Sequence, residues 1–393
     1  MKILFFNYEY PPLGGGAANA TAYLMREYSK NSDIEVDLIT SSINDNYVLE
    51  TIGENIRIHR LPIGKNSQNL HFQSQKDLLV YSWKAYFFAI KLINERKKGG
   101  KRFDLTHSFF TVPCGFISML LKWQFRLPYI VSLRGSDVPG YSERFTFIYK
   151  LLKPVIKLIW SQAHFVIANS KGLKELAAKT GSKKEIGVIY NGIDTQHFKP
   201  EPGRRPVGKF IITTGASRVT HRKGLNYLIE AVSFLTPKYP YIQVKIMGEG
   251  NAQADLEKLA EKLDVKKQVE FLGRIAREKT VPYYQEAGLF VLPSMNEGMS
   301  NAMLEALSSG LPILATDTGG SSELIKENVN GYIIKMRNSQ DIADKIEKMM
   351  NDPELAKNMG AESRKVAEQM SWEKVAGEYF ELYKKVWSKD LSS

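Results

Sequence analysis

The chain has 393 residues, 43% hydrophobic and 24% charged; it is too long for one ordinary core and has the composition of a globular protein with two. Its single cysteine, Cys114, excludes an intrachain disulfide, and no 18-residue uncharged apolar run is present to span a membrane. The net charge is +12, and nearly all of it belongs to the first half: residues 1–200 hold 27 Lys+Arg against 16 Asp+Glu, residues 201–393 hold 27 against 26.

KILFF (2–6) reads as a first strand and leads into PPLGGGA (11–17). Its N-terminal apolar run is too short for a signal peptide, so a cytoplasmic protein is expected. Gly15 and Gly16 would let backbone N–H groups approach a ligand with no Cβ between. This is not a dinucleotide fingerprint, because Asn19 stands where G-x-G-x-x-G needs glycine. Strands are expected at 35–40, 56–61, 103–108, 128–133, 164–169 and 185–190. Helices lie between most of them, among them 18–30, 75–98, 115–126 and 170–179. Such alternation argues a parallel sheet covered on both faces. His107 ends one strand; Arg134 and Asp137 follow another. All three are candidates for substrate contact.

The rhythm breaks at NGIDTQHFKPEPGRRPVG (191–208), whose prolines and glycines mark a linker. Alternation resumes with strands expected at 209–215, 241–248, 268–273, 288–293, 311–316 and 331–336. The domains expected are therefore 1–198 and 199–371, each doubly wound. TTGASRVTHRKG (213–224) repeats the position of the first glycine turn. Its Arg218 and Lys223 are suited to a phosphate or diphosphate. Gly248–Gly250 and Phe271–Arg274 close further strands on the same expected rim. Three helices, 339–350, 353–368 and 372–387, end the chain. The aromatics of the last, Trp372, Tyr379, Phe380, Tyr383 and Trp387, are expected to dock on a domain core.

LPSMNEGMSNAMLEALSSG (292–310) carries the densest signal. Glu297 and Glu305 flank the helix-start residues Gly298, Ser300 and Asn301. On one continuous helix, eight residues would separate the carboxylates by about 12 Å of rise, a loose fit for a general acid–base pair on one bond. A phosphate over the helix N-terminus with sugar hydroxyls on either side fits better. Zinc spacing, a Walker loop, D-x-D and G-x-S-x-G are all absent from the sequence.

In order, PPLGGGA, VIYNGIDTQHF, Arg218 with Lys223-Gly224, IMGEG, FLGR, EGMSNAMLEAL and MSWEKVAGEYFELY resemble the retaining glycosyltransferases of family four, nearly end to end. The resemblance implies an α/β GT-B fold: two Rossmann-like doubly wound parallel-sheet domains facing a central cleft, with helix 372–393 crossing back to the first. It implies that Glu297 contacts the donor sugar and Glu305 the ribose. Arg218 and Lys223 would hold the diphosphate, with N–H donors from Met299, Ser300 and Asn301. Gly248 and Gly273–Ile275 would face the nucleoside, Gly15–Gly16 the phosphates. No metal or other cofactor is implied.

Two departures stand out. The family's H-x-H here ends in Phe109, and its H-G-x-D turn reads Arg134-Gly135-Ser136-Asp137. His107 is the nearest candidate for the sugar's 6-position, and Arg134 for an anionic donor or acceptor group. The activity implied is transfer of a hexose or N-acetylhexosamine from a nucleotide sugar, UDP favoured and GDP possible, to a saccharide or lipid-phosphate-linked acceptor in cell-surface polysaccharide or glycolipid synthesis. A UDP-sugar 2-epimerase or a non-catalytic sugar-nucleotide binder are the alternatives. The basic, apolar stretches 115–127 and 144–160 suit peripheral contact with the anionic inner face of the plasma membrane as well as they suit core packing. No nucleic-acid module is recognisable.

Overall fold

The computed structural model describes residues 1–65, 70, 73–141, 146–297, 299–318 and 320–390, and all side chains among them except 146–148, 150, 216–218 and 389–390. The chain divides into two compact units, Met1–Asn191 with Trp372–Ser393, and Gly192–Ser371. The division falls at the first residues of the proline-rich segment.

The first unit runs β1 (Lys2–Phe6), α1 (Gly16–Ser29), β2 (Glu35–Ser42), β3 (Val48–Ile52), β4 (Ile56–Pro62), α2 (Gln75–Lys98), β5 (Leu105–Phe109), α3 (Phe116–Phe125), β6 (Tyr129–Leu133), α4 (Thr146–Gln162), β7 (Phe165–Ala168), α5 (Lys171–Ala178) and β8 (Ile186–Val188). The sheet order is β3-β4-β2-β1-β5-β6-β7-β8. β5 and β6 are buried along their whole length, as continuous apolar or small-residue strands between two helix layers must be. Every pairing is parallel except β3 with β4. The sequence reading did not anticipate β3. Its VLETI is an exposed edge hairpin with no buried run, held partly by Arg60 Nε donating to Glu50 at 2.7 Å. The chain proceeds from β1 to β2 on one side and later from β1's other side through β5. The order therefore reverses at β1/β5, where the glycine turn emerges.

The second unit runs β9 (Phe210–Arg218), α6 (Leu225–Leu235), β10 (Ile242–Glu249), α7 (Gln253–Lys262), β11 (Val269–Gly273), α8 (Val281–Gln285), β12 (Leu289–Leu292), α9 (Asn301–Ser308), β13 (Ile313–Thr316), α10 (Ser321–Leu324), β14 (Gly331–Ile334), α11 (Ser339–Asn351) and α12 (Pro353–Glu368). Its all-parallel sheet has the order β11-β10-β9-β12-β13-β14. This is the doubly wound order, with its switch point between β9 and β12.

The last helix, α13 (Trp372–Asp390), belongs to the first unit. Trp372 stacks on Tyr23 with ring centroids 5.3 Å apart. Deeper in, a buried chain of hydrogen bonds fastens the helix to the sheet. Tyr383 Oη lies 3.0 Å from Tyr28 Oη and 2.7 Å from His107 Nδ1. His107 Nε2 lies 2.8 Å from Ser132 Oγ, which is 3.0 Å from Tyr379 Oη. Tyr379 and Tyr383 are four residues apart and so share one helix face. Trp387, expected to dock with them, is 48% exposed instead, and its neighbour Val386 takes the buried position at that level of the helix. Tyr383→Phe strands the Tyr28 hydroxyl and His107 without their shared partner. It should cost about 1–3 kcal/mol and lower the first thermal transition, as followed by calorimetry.

Candidate functional site

Four turns of the second unit leave the carboxyl ends of its strands near the switch point. β9 ends at Arg218, whose side chain lies outside the described residues, and a short turn, His221–Lys223, follows. Gly224 next adopts φ +62°, and a Cβ there would lie 2.1 Å from the Pro293 carbonyl oxygen. Only glycine lets the turn after β9 lie so close to the turn after β12. The two are joined by Met295 N donating to Arg222 O at 2.8 Å. Thr316 Oγ1, at the end of β13, donates to the Ser294 carbonyl from the other side.

This contact delivers Lys223 to Glu297. The ammonium pairs with Glu297 Oε1, which also accepts from Ser294 Oγ at 2.9 Å. Their side chains are 17% and 12% exposed, so a small part of each still meets solvent. Immediately beyond, Ser300 caps α9 by accepting from Met303 N at 3.3 Å, and Asn301 begins the helix. The capped N-terminus leaves further backbone N–H groups for an anion. Met299 and Ser300 are buried beside it.

Glu305 lies one helical turn into α9 and is buried. Arg277 Nε donates to its Oε1 at 2.6 Å, and Tyr284 Oη to its Oε2 at 2.9 Å. The Tyr284 phenol is held well above its ordinary range, by burial first and by the Glu305 carboxylate second. The glutamates thus have separate partners, a lysine from the β9 turn and an arginine from the segment after β11. Arg277, Tyr284 and Ser294 were not singled out from the sequence. The hints were that Arg277 follows FLGR by three residues and that Ser294 lies in the 292–310 segment; Tyr284 carried no signal. Gly248 has φ +129° and Gly273 φ +66°, each at a strand end of the same rim. Arg274 is exposed and Ile275 half-buried.

In the first unit, Gly15 precedes α1, whose start has no side-chain cap and no acid in its first turn. Gly15 N donates to Glu9 Oε2 at 3.4 Å. The space where a Cβ would stand at Gly15 is open. Asp137 is buried, and its carboxylate accepts from Thr111 N and Oγ1 and from the N–H groups of Arg134 and Gly135, at 2.8–3.1 Å. Burial raises its pKa, and those same hydrogen bonds oppose the rise. It shapes the Arg134 turn rather than presenting a free carboxylate. Arg134 stacks over Phe109 with its guanidinium carbon 3.6 Å from the ring centroid, and Nη1 donates to Asn191 at 3.0 Å. The two departures noted in the sequence are therefore in contact with one another.

His107 is corrected. It was expected to meet a sugar, but it has no exposed surface and both ring nitrogens are engaged by Tyr383 and Ser132. Burial, followed by the nearby Arg134 charge, holds its pKa well below 6.5. It is a fastening residue of the core.

Two doubly wound parallel sheets, with polar turns gathered where the strand order reverses, define a GT-B protein. The chain belongs among the glycosyltransferases, each of its halves matching its own family model. The family model "Glycosyl transferases group 1" matches residues 196–366 and "Glycosyltransferase Family 4" matches residues 14–197. It is 28% identical over 403 residues to an uncharacterized glycosyltransferase of Methanocaldococcus jannaschii, across 98% of each chain. In structure it resembles sucrose-phosphate synthase from Thermosynechococcus elongatus, with TM-score 0.81, 21% identity and 99% of each chain covered. It also resembles Anabaena HepE in complex with UDP and glucose, with TM-score 0.75, 20% identity, and coverage of 98% of this chain and 100% of that one.

Arg277→Leu leaves the buried Glu305 carboxylate without its cation and should destabilise the second unit by about 3–5 kcal/mol. Adding Glu305→Leu should recover a large part of that loss in a double-mutant cycle read by thermal unfolding. His107 makes a pH-dependent contribution. Because its folded pKa is depressed, its stabilising effect is complete above the unfolded value near 6.5 and is lost as pH falls from there through the folded value. Melting curves at pH 7.5 and 5.5 should therefore differ more for the wild type than for His107→Gln.

Proposed function

We propose that the protein is a retaining glycosyltransferase that moves a hexose or N-acetylhexosamine from a nucleotide sugar to a saccharide or lipid-linked acceptor in cell-surface polysaccharide or glycolipid synthesis. The observation that carries this reading is the Lys223–Glu297 pair at the β9/β12 switch point, set beside the N-terminus of α9. An incoming diphosphate competes for the ammonium and lies against the helix N–H groups. Glu297, released from Lys223, then accepts from sugar hydroxyls. Glu305, oriented by Arg277 and Tyr284, has remaining lone pairs for the ribose hydroxyls. Arg218, Met299, Ser300 and Asn301 complete the diphosphate site, and Gly248, Gly273, Arg274 and Ile275 line the nucleoside end. The UDP and glucose bound by HepE, a chain of the same fold, favour a UDP-sugar donor.

In this reading the first unit holds the acceptor, with the glycine turn at Gly15 and Gly16 and the Arg134 side chain as its candidates for anionic groups. The bond from the anomeric carbon to the diphosphate oxygen breaks as an acceptor hydroxyl bonds to the same face, and the departing phosphate takes the hydroxyl proton. Lys223 and Arg218 neutralise the diphosphate as it leaves, without a metal ion.

Calorimetry with UDP tests the site: Lys223→Ala and Glu305→Ala should each weaken binding at least about tenfold, or 1.4 kcal/mol. Product NMR should show the donor's anomeric configuration retained, with turnover unchanged by a chelator. An inverted linkage overturns the retaining route. A free altered sugar formed without acceptor identifies an epimerase, and UDP binding with no donor turnover under any acceptor identifies a binding protein.

A further inference from the structure

One face of α2 breaks the rule that large apolar side chains turn inward. Tyr81, Ala85, Ala89 and Ile93 are buried and hold the helix to the sheet. On the opposite side, Leu79, Trp83 and Phe87 are 71%, 69% and 48% exposed. Steps of four residues keep these three within an arc of roughly 80°. Trp83 and Phe87 touch, with ring centroids 4.5 Å apart. They form one apolar ridge rather than three isolated exposures, and such ridges mark contact surfaces. The neighbouring α3, tied to α2 by Tyr86 Oη donating to Gln124 at 3.0 Å, adds Trp123, 56% exposed.

The charge around the ridge is one-sided. Residues 75–98 hold two acids and six Lys or Arg, five of them lysines on the exposed side and one, Arg96, turned inward to Glu35 and Asp37. Asp77 is spent on the helix cap, where it accepts from Ser74 N at 2.8 Å, and Glu95 lies 3.8 Å from Lys91. Helical spacing places Lys76 and Lys98 in or next to the apolar arc and Lys91 at its margin. A second copy of the chain would set this basic face against itself, since a two-fold contact pairs a patch with its own kind. A bilayer with anionic headgroups answers both features: the ridge enters the headgroup–acyl boundary and the lysines meet lipid phosphates.

We propose that the Leu79–Trp83–Phe87 face of α2, with its flanking lysines, docks the protein on an anionic membrane surface. The proposal deepens the lipid-linked-acceptor part of the functional reading and rests on it for its biological sense alone. It adds a helix to the expected stretches 115–127, which holds Trp123, and 144–160, where Tyr149, Ile156, Ile159 and Trp160 are core side chains while Leu151 and Leu158 are 67% and 42% exposed. No described helix is long and apolar enough to cross a membrane, so the contact is one of lying on the surface.

Flotation of the full chain with phosphatidylglycerol–phosphatidylcholine vesicles and with pure phosphatidylcholine vesicles tests it. The wild type should float with the former and not the latter, with binding that weakens as salt rises. Trp83→Ser/Phe87→Ser, and separately Lys76→Glu/Lys91→Glu, should each reduce the vesicle-bound fraction at least about tenfold. These positions are exposed, so both variants should keep the wild-type melting temperature and UDP affinity. No flotation of the wild type with anionic vesicles overturns the proposal, as does undiminished flotation of either variant. A wild-type dimer in light scattering that the serine variant makes monomeric also overturns it, because the ridge is then a self-association surface. A wild type that binds vesicles but not UDP supports the surface while overturning the donor reading.

Discussion

Everything at the candidate donor site depends on how closely the turn after β9 lies to the turn after β12. In a doubly wound sheet these two strands are neighbours, yet the chain leaves them in opposite directions, so no crossover connection fills the space above them. Here the space is bridged by Gly224 against the Pro293 carbonyl and by the hydrogen bond from Met295 N to Arg222 O. Lys223 and Glu297 meet because their neighbours are already in contact. The ion pair is mostly buried, and such a pair is worth little net stability, because desolvation takes back most of what attraction supplies. What it does is hold two charges of opposite sign side by side at a helix N-terminus; under the proposed function each has a different partner in a nucleotide sugar.

The same logic separates the two glutamates. Glu297 precedes α9 in a turn, faces a lysine and keeps some exposure. Glu305 sits inside α9, where Arg277 and Tyr284 fix both of its oxygens. Fixing a carboxylate by two donors from elsewhere in the unit gives it a single orientation. That suits recognition of a rigid diol better than it suits proton transfer, which needs a group able to change charge.

The first unit uses its polar groups differently. His107, Ser132, Tyr28, Tyr379 and Tyr383 form a closed, buried network that bonds α13 to the sheet, and Asp137 gives its carboxylate to the backbone of its own turn. Polar residues at strand ends therefore serve cohesion there as much as chemistry. The basic surplus of this half is accounted for only in part by such pairing. Arg57 and Arg96 pair with Glu35 and Asp37, whereas the lysines along the outer face of α2 are turned to solvent beside exposed aromatics.

Strand–helix alternation, the two glycine turns and the Glu297–Glu305 segment were legible from local pattern, because doubly covered parallel strands must be apolar along their length and close-packed turns at strand ends must be glycine-rich. Those features specified the fold class, the two-unit organisation of the elements and the neighbourhood of Lys223, Glu297 and Glu305. Local pattern had nothing to say about which distant groups meet. The pairing of Glu305 with Arg277 and Tyr284, the stacking of Arg134 on Phe109, and the capture of His107 by Tyr383 across 276 positions join residues that share no local periodicity. The edge strand β3 was hidden because half-exposed hairpins lack an apolar run. The outward turn of Leu79, Trp83 and Phe87 was hidden because α2 is apolar on more than one side, and only packing against the sheet decides which side remains uncovered.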